Sequence, residues 1–343
     1  MDPFVKKSLF VVGGIVLFLV VYTRLSKSPC EARISYANVD LNNDIDLEEV
    51  FAPPSDEELS QIRLAWNNFD YTSDSVLLVQ QYNVAPERPL QILANYAEGN
   101  KHYGAVILPK QYDPDQQYPI VLWANGLNQV DPSVQLTHPI IKRLTTEFEH
   151  FFLIIPSYRG QALKTSQRGY CSDGFFGDAF DGATDDALRF LHLAKARFSG
   201  VDEKRVSVCG LSRGGTVALL AAARDTSIRN AVSIAGPTNF HQRQAYDRYG
   251  GQYKYQFLST TTDMDSIRDK MLRSSPAYFI EDYQNDLLLI QGRNDQVVPV
   301  ANATAVIDLL QEKKNFEHIL TEGGHDFYDW PLVTEWIKQR TGE

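Results

Sequence analysis

The chain has 343 residues, 43% of them apolar and 22% charged, which is enough to bury one large core. Its formal net charge of -10 argues against a nucleic-acid backbone as partner. Three cysteines are too few for a disulfide framework, and no Cys/His cluster suggests a metal.

Residues 1–28 read as a segment apart from the fold. Lys6 and Lys7 precede an apolar run from Leu9 to Tyr22, which Arg24 and Lys27 close. As a helix its about 15 residues span roughly 22 Å, against a hydrocarbon core of about 30 Å. Snorkelling of Lys7 and Arg24 closes that gap. We therefore expect an uncleaved single-pass membrane anchor. A cleaved signal peptide is the competing reading, and no small-residue cleavage site follows the run. The short basic N-terminus would leave the globular part outside the cytoplasm.

Residues 29–89 read as an acidic linker and N-terminal embellishment. Between Ile34 and Ile62 there are eight carboxylates and no lysine or arginine. The spacing from Asp40 to Glu49 imitates a calcium loop. Ile45, however, stands where the turn glycine must be, and Phe51 where the closing Glu belongs, so no calcium site is expected. Ser55 and Glu58 make a capping box ahead of Leu59, Ile62 and Trp66 at helical spacing. Cys209 reads as buried core; whether Cys30 and Cys171 pair is open.

Strand patterns run over 75–82, 90–96 and 103–109. Buried-type strands follow over 118–124, 151–155, 206–209, 231–235, 286–291 and 317–320, with helices over 179–198, 300–312 and 330–340. Near-continuous apolar strands alternating with helices predict an α/β fold: a mostly parallel, doubly wound sheet covered on both faces, within 90–343. Ligands of such sheets sit beyond the carboxyl ends of the strands. Residues 238–276 interrupt the rhythm with a polar, tyrosine-rich insertion, read as a cap over that edge. A surface embellishment is the alternative.

The strand at 206–209 runs into Gly210-Leu211-Ser212-Arg213-Gly214-Gly215 and then into an alanine- and leucine-rich helix. This is G-x-S-x-G on a strand–turn–helix, and it makes Ser212 the candidate nucleophile. A serine needs a base to take its proton, and the base needs an acid to hold its tautomer. Asp295 directly follows the strand at 286–291, and His325 directly follows the strand at 317–320. The order Ser, Asp, His is that of α/β-hydrolases. Asp286 and Asp326 are rivals to Asp295. Among the other histidines, His192 lies in a helix, His318 in a strand, and His102 and His150 flank strands. His138 and His241 sit in loops. The oxyanion donors expected are the N–H of Arg213 and the N–H of Leu127, with the Asn125 amide as a side-chain donor.

Gly210–Gly215, Asp295-Gln-Val-Val-Pro299 and Gly323-Gly-His325 resemble the catalytic domain of the prolyl-oligopeptidase-type serine hydrolases. So do Pro156-Ser-Tyr-Arg-Gly160, Asp185-Asp186 and Arg273-Ser-Ser-Pro276. The resemblance covers roughly 90–343. It implies an α/β-hydrolase fold with Ser212 as nucleophile, Asp295 as orienter and His325 as general base. Two departures stand out. The residues ahead of the hydrolase are too few for the β-propeller of the oligopeptidases. Where peptidase members carry Tyr-Gly-Gly or His-Gly-Gly, this chain reads Asn125-Gly-Leu127, without the tyrosine hydroxyl.

The expected chemistry is cleavage of a small-molecule ester or peptide amide through an acyl-enzyme, with no cofactor. Acyl transfer to another acceptor, and a catalytically silent hydrolase fold used for binding, are the alternatives. Arg159 reads as a salt-bridge partner of Asp185 or Asp186, with a substrate carboxylate as its other possible ligand. Asn302-Ala-Thr304 matches a glycosylation sequon inside an expected helix and carries little weight.

Overall fold

The computed structural model describes residues 46–128, 131–260, 263–326 and 329–343. The apolar run at 9–22, the residues before Asp46 and Cys30 lie outside the described residues. Among the described residues no helix is long and apolar enough to cross a membrane.

Two helices come first, α1 (Leu47–Val50) and α2 (Asp56–Asn67). An antiparallel meander follows, made of β1 (Ser75–Ala85), β2 (Arg88–Ala97) and β3 (Asn100–Ile107). The chain continues through β4 (Tyr118–Ala124), β5 (Ser133–Gln135), α3 (Pro139–Glu147), β6 (Phe152–Ser157), β7 (Ala162–Lys164) and β8 (Gly169–Cys171). Next come α4 (Asp181–Arg197), β9 (Val201–Leu211), α5 (Arg213–Arg224) and β10 (Ile228–Ile234). The insertion contributes α6 (Arg243–Phe257) and α7 (Met264–Arg273). The chain closes with β11 (Asp286–Gly292), α8 (Ala301–Leu310), β12 (Phe316–Thr321) and α9 (Trp330–Thr341).

Nine strands form one sheet in the order β1-β2-β3-β6-β4-β9-β10-β11-β12. From β6 to β12 every neighbour is parallel. This is the mostly parallel, doubly wound sheet that the strand–helix alternation predicts. Period-two alternation sorts the side chains of β4 to opposite faces. Ile120 and Leu122 pack with Ala187 of α4, Ala218 of α5 and Val306 of α8. Val121 and Trp123 pack with Leu144 of α3 and Val333 of α9. Burying both faces is what makes these strands apolar without interruption. After β4 the chain adds β6 on one side and then crosses to β9 on the other. That reversal opens a crevice at the carboxyl ends of β4 and β9, where the candidate site lies.

Three features go beyond the sequence reading. β5, β7 and β8 form a separate small sheet, built from strands too short to show a period. The insertion is helical, and α6 is broken at Gly250, whose φ of 47° glycine adopts without strain. Cys171 is disulfide-bonded, and Cys209 is a free, buried thiol in β9.

The insertion packs on a third apolar cluster with Ile62 and Trp66 of α2 and Phe257, Ile267 and Met271 of the inserted helices. One side chain ties these layers together. Arg268 of α7 donates to the carbonyls of Val50 at 2.8 Å and Ala52 at 2.7 Å, and to Glu58 Oε2 at 3.1 Å. Glu58 is itself half of the capping box, accepting from Ser55 N at 2.7 Å while Glu58 N donates to Ser55 Oγ. The Arg268 hydrogen bond holds the Glu58 carboxyl down at about 2, below its ordinary 4.5.

Arg268→Ala should therefore lower stability by about 1–3 kcal/mol, read as a fall in Tm, and speed hydrogen exchange over 47–67 before the core sheet. Because the Glu58 pKa is depressed on folding, its contribution is complete above pH 4.5 and is lost as pH falls toward 2. The Tm gap between wild type and variant should narrow over that interval.

Candidate active site

Ser212 sits between β9 and α5 with φ 59° and ψ -124°, a conformation an L-residue adopts only when its surroundings impose it. Backbone bonds impose it here. Ser212 N donates to Ile234 O at 2.8 Å, and Ser212 O accepts from Gly215 N at 2.8 Å. The glycines allow the close approach: a Cβ at Gly210 would collide with Gly214 O, and one at Gly214 with the Ala124 carbonyl. Strand, turn and helix thus leave the serine at the head of α5, where the first N–H groups have no intrahelical acceptor.

Asp295 and His325 come together across two laced loops. Arg293 N donates to Thr321 O at 2.8 Å, Asn294 N to Gly323 O at 3.0 Å, and Asn294 Nδ2 to Glu322 O at 2.8 Å. Gly292 lies against the Gly323 and Gly324 backbone, where a Cβ would not fit. The result is a hydrogen bond of 2.8 Å between His325 Nδ1 and Asp295 Oδ2. The Asp295 side chain is fully buried, whereas that of His325 is 23% exposed. Asp295 has other partners as well: Oδ1 accepts from Val297 N and Val298 N, both at 2.8 Å, and Oδ2 from Gln291 Nε2 at 3.0 Å. A carboxylate with this many donors is held in one orientation as an acceptor. It commits His325 Nδ1 as a donor and leaves Nε2 to meet a hydroxyl. Among the described residues no hydrogen bond joins Ser212 Oγ to His325; such bonds often tighten only around substrate.

The oxyanion candidates divide. Asn125 Nδ2 donates to Pro156 O at 2.8 Å, and Asn125 N to Tyr158 Oη at 3.0 Å. The Asn125 amide thus commits one of its two donors to the fold. Leu127 and Arg213 both line the cavity at Ser212. The Arg213 side chain, which the sequence reading left aside, braces this loop. It is buried, donates from Nε to Asn125 O at 3.2 Å and from Nη2 to Gly126 O at 2.8 Å, and lies 4.7 Å over the Tyr158 ring. Burial brings its pKa down to about 10 and pushes the Tyr158 hydroxyl up to about 12.

The other candidates have structural partners. Arg159 binds Asp186 through Nε and Nη2 at 3.0 and 2.9 Å and Asp178 through Nη1 at 2.6 Å, which makes it a salt-bridge residue. His241 is buried against Val50 O and Tyr278 Oη, and His192 pairs with Asp225 at 3.0 Å. His138 caps α3. Asp286 starts β11, at the opposite edge of the sheet from Asp295, and faces Arg340. Asp326 is exposed.

A cavity of about 380 Å³ opens at Ser212. The insertion supplies one wall of it, through Arg248, Tyr249, Gln252, Tyr253 and Gln256 of α6. Arg248 Nη2 donates to Gln296 O at 2.5 Å and Tyr249 Oη to Val297 O at 3.3 Å, so α6 docks on the turn that carries Asp295. Gln291, the hydrogen bond to Tyr158 Oη and the α6 residues Arg248, Gln252 and Gln256 escaped the sequence reading, which had named the tyrosine-rich insertion carrying Tyr249 and Tyr253 as a cap. For Gln291 alone there was a local signal, a polar residue ending an apolar strand.

Residues 177–339 match the prolyl oligopeptidase family. Dipeptidyl peptidase 8 of Homo sapiens is 24% identical over 221 residues, covering 61% of this chain and 22% of that protein. The uncharacterized peptidase YuxL of Bacillus subtilis is 21% identical over 297 residues, covering 81% of this chain and 42% of that protein. The chain thus spans less than half the length of either curated relative. Acetyl xylan esterase 1 from Thermoanaerobacterium superposes with a TM-score of 0.62 at 17% identity, over 87% of this chain and 99% of that one. That likeness shows a shared fold.

The bracing by Arg213 has a kinetic consequence. Arg213→Met should lower kcat by about 10²-fold with KM little changed, because a loop released from its two carbonyl anchors misplaces an oxyanion donor. Steady-state kinetics beside a near-UV circular dichroism spectrum checks this; an unchanged kcat in a folded variant contradicts it.

Proposed function

We propose that this α/β-hydrolase, matched over 177–339 by the prolyl oligopeptidase family, is a serine hydrolase that cleaves a carboxylic ester or small peptide amide through an acyl-enzyme. The hydrogen bond of 2.8 Å between His325 Nδ1 and Asp295 Oδ2 carries this reading, because it orients a base on the sheet edge that bears Ser212. His325 Nε2 takes the Ser212 proton as Oγ bonds to the substrate carbonyl carbon. The displaced electron pair settles on oxygen, which accepts from the N–H groups of Arg213 and Leu127. Collapse breaks the bond to the alkoxide or amine, which leaves with the proton from His325. Water then repeats the sequence on the acyl-enzyme, releasing the acid and restoring Ser212. Asp295 remains a carboxylate throughout and stabilises the imidazolium.

Esters should turn over faster than amides. An amide has the poorer leaving group, and Asn125-Gly126-Leu127 lacks the oxyanion tyrosine of peptidase relatives. We also propose that the catalytic part acts outside the cytoplasm on an N-terminal membrane anchor. The apolar run at 9–22 supports this, as does a disulfide at Cys171, which an oxidising compartment sustains.

A fluorophosphonate probe should label wild type and leave Ser212→Ala unlabelled, and Asp295→Asn should lower kcat by about 10⁴-fold. Equal labelling of wild type and Ser212→Ala would overturn the reading. A panel of p-nitrophenyl esters beside dipeptidyl amides orders the substrates, and amides outpacing esters would reverse the preference.

A further inference from the structure

The wall that α6 adds to the cavity has a charge pattern unlike the rest of the chain. Acidic residues outnumber basic ones by 43 to 33 overall, yet among the described residues the cavity at Ser212 is lined by two arginines and no carboxylate. Next to it lies a second cavity of about 280 Å³, lined largely by amides and hydroxyls and again without a carboxylate. Arg248 and Tyr249 line both. A substrate that reaches from the first cavity into the second passes Arg248.

The two arginines are not equivalent. Arg213 is 2% exposed, and it is occupied with Asn125 O and Gly126 O. Arg248 is exposed, and its hydrogen bond to Gln296 O takes one donor of five. The nearest acid along its own helix, Asp247, faces Arg243 at 3.1 Å. On the turn packed against Arg248, Asp295 is buried and bonded to His325. No ion pair to Arg248 forms among the described residues. A guanidinium that keeps its charge and faces a carboxylate-free cavity matches the planar, two-oxygen geometry of a carboxylate.

We infer that Arg248 is a specificity-determining residue that selects substrates bearing a free carboxylate a few bonds from the scissile carbonyl. The inference rests on the serine-hydrolase reading of Ser212 and names its substrate class. Because Arg248 borders water, the gain is modest, about tenfold in kcat/KM, and salt weakens it.

The test compares anionic and neutral esters in pairs. Mono-p-nitrophenyl adipate against p-nitrophenyl hexanoate places the carboxylate on the acyl side. 4-Acetoxybenzoate against its methyl ester places it on the leaving side. Each ratio is measured in wild type and Arg248→Gln, so that intrinsic reactivity cancels. The expected result is that Arg248→Gln lowers the anionic-to-neutral ratio of kcat/KM about tenfold in at least one pair. Loss of the hydrogen bond to Gln296 O should lower neutral and anionic turnover by a common factor that cancels in the ratio, and 0.5 M NaCl should shrink the wild-type ratio. An unchanged ratio in both pairs overturns the inference, as does an equal fall for neutral and anionic esters. Failure of the underlying reading looks different, since Ser212→Ala would then hydrolyse every ester as well as wild type does.

Discussion

Ser212 holds a left-handed backbone conformation because the chain around it leaves no other arrangement. β9 arrives pinned between β4 and β10, α5 departs at once, and the carbonyls of Ala124 and Gly214 come closer to Gly214 and Gly210 than any side chain would permit. A strained residue persists only where its surroundings over-determine it. Here the surroundings are two central joints of a nine-stranded sheet, β4–β9 and β9–β10, so the strain rests on buried strands. The same contact that forces the turn brings the 125–127 loop beside the serine. The placement of Ser212 and that of the 125–127 loop are consequences of one close approach.

Charge is handled differently in the interior and at the site. Arg159, partly buried, and Arg224, its side chain fully buried, lie among Asp178, Asp181, Asp185 and Asp186. These partners lift both guanidinium pKa values above their ordinary range, and burial raises the Asp185 carboxyl to about 7. Arg213 is also buried but meets carbonyl oxygens and a tyrosine face instead of a carboxylate. A cation held by carbonyls and not by a carboxylate keeps a positive field at the 125–127 loop. A carboxylate in the same position would have cancelled it.

The insertion and the N-terminal helices make a second layer that supplies one wall of the cavity at Ser212. Arg268 binds α1 and α2 to α7, while Arg248 and Tyr249 bind α6 to the Asp295 turn. Gly250, between these anchors, lets α6 change direction. The wall over the serine is thus held at both ends by long polar side chains. Its specificity can vary without disturbing the sheet below.

Much of this was legible in the order of residues. Apolar strands alternating with helices set the architecture, because a strand buried on both faces must be apolar throughout. Ser212, Asp295 and His325 were readable because each lies in the turn just after a strand, and a parallel sheet gathers such turns at one edge. What escaped were interactions with no local signature. The bracing by Arg213, the hydrogen bond from the Asn125 amide to Pro156 O and the position of Arg248 all join segments far apart in the chain, whereas the clamp of Gln291 on Asp295 spans only four residues. Composition and period report which face of a strand is buried. They are silent on which carbonyl a given arginine meets, since that depends on how two separately formed turns come to lie a few ångströms apart. The sequence by itself determined the sheet, its edge and the three side chains placed there; tertiary packing alone decided which donors remain free at that edge and what charge faces the cavity.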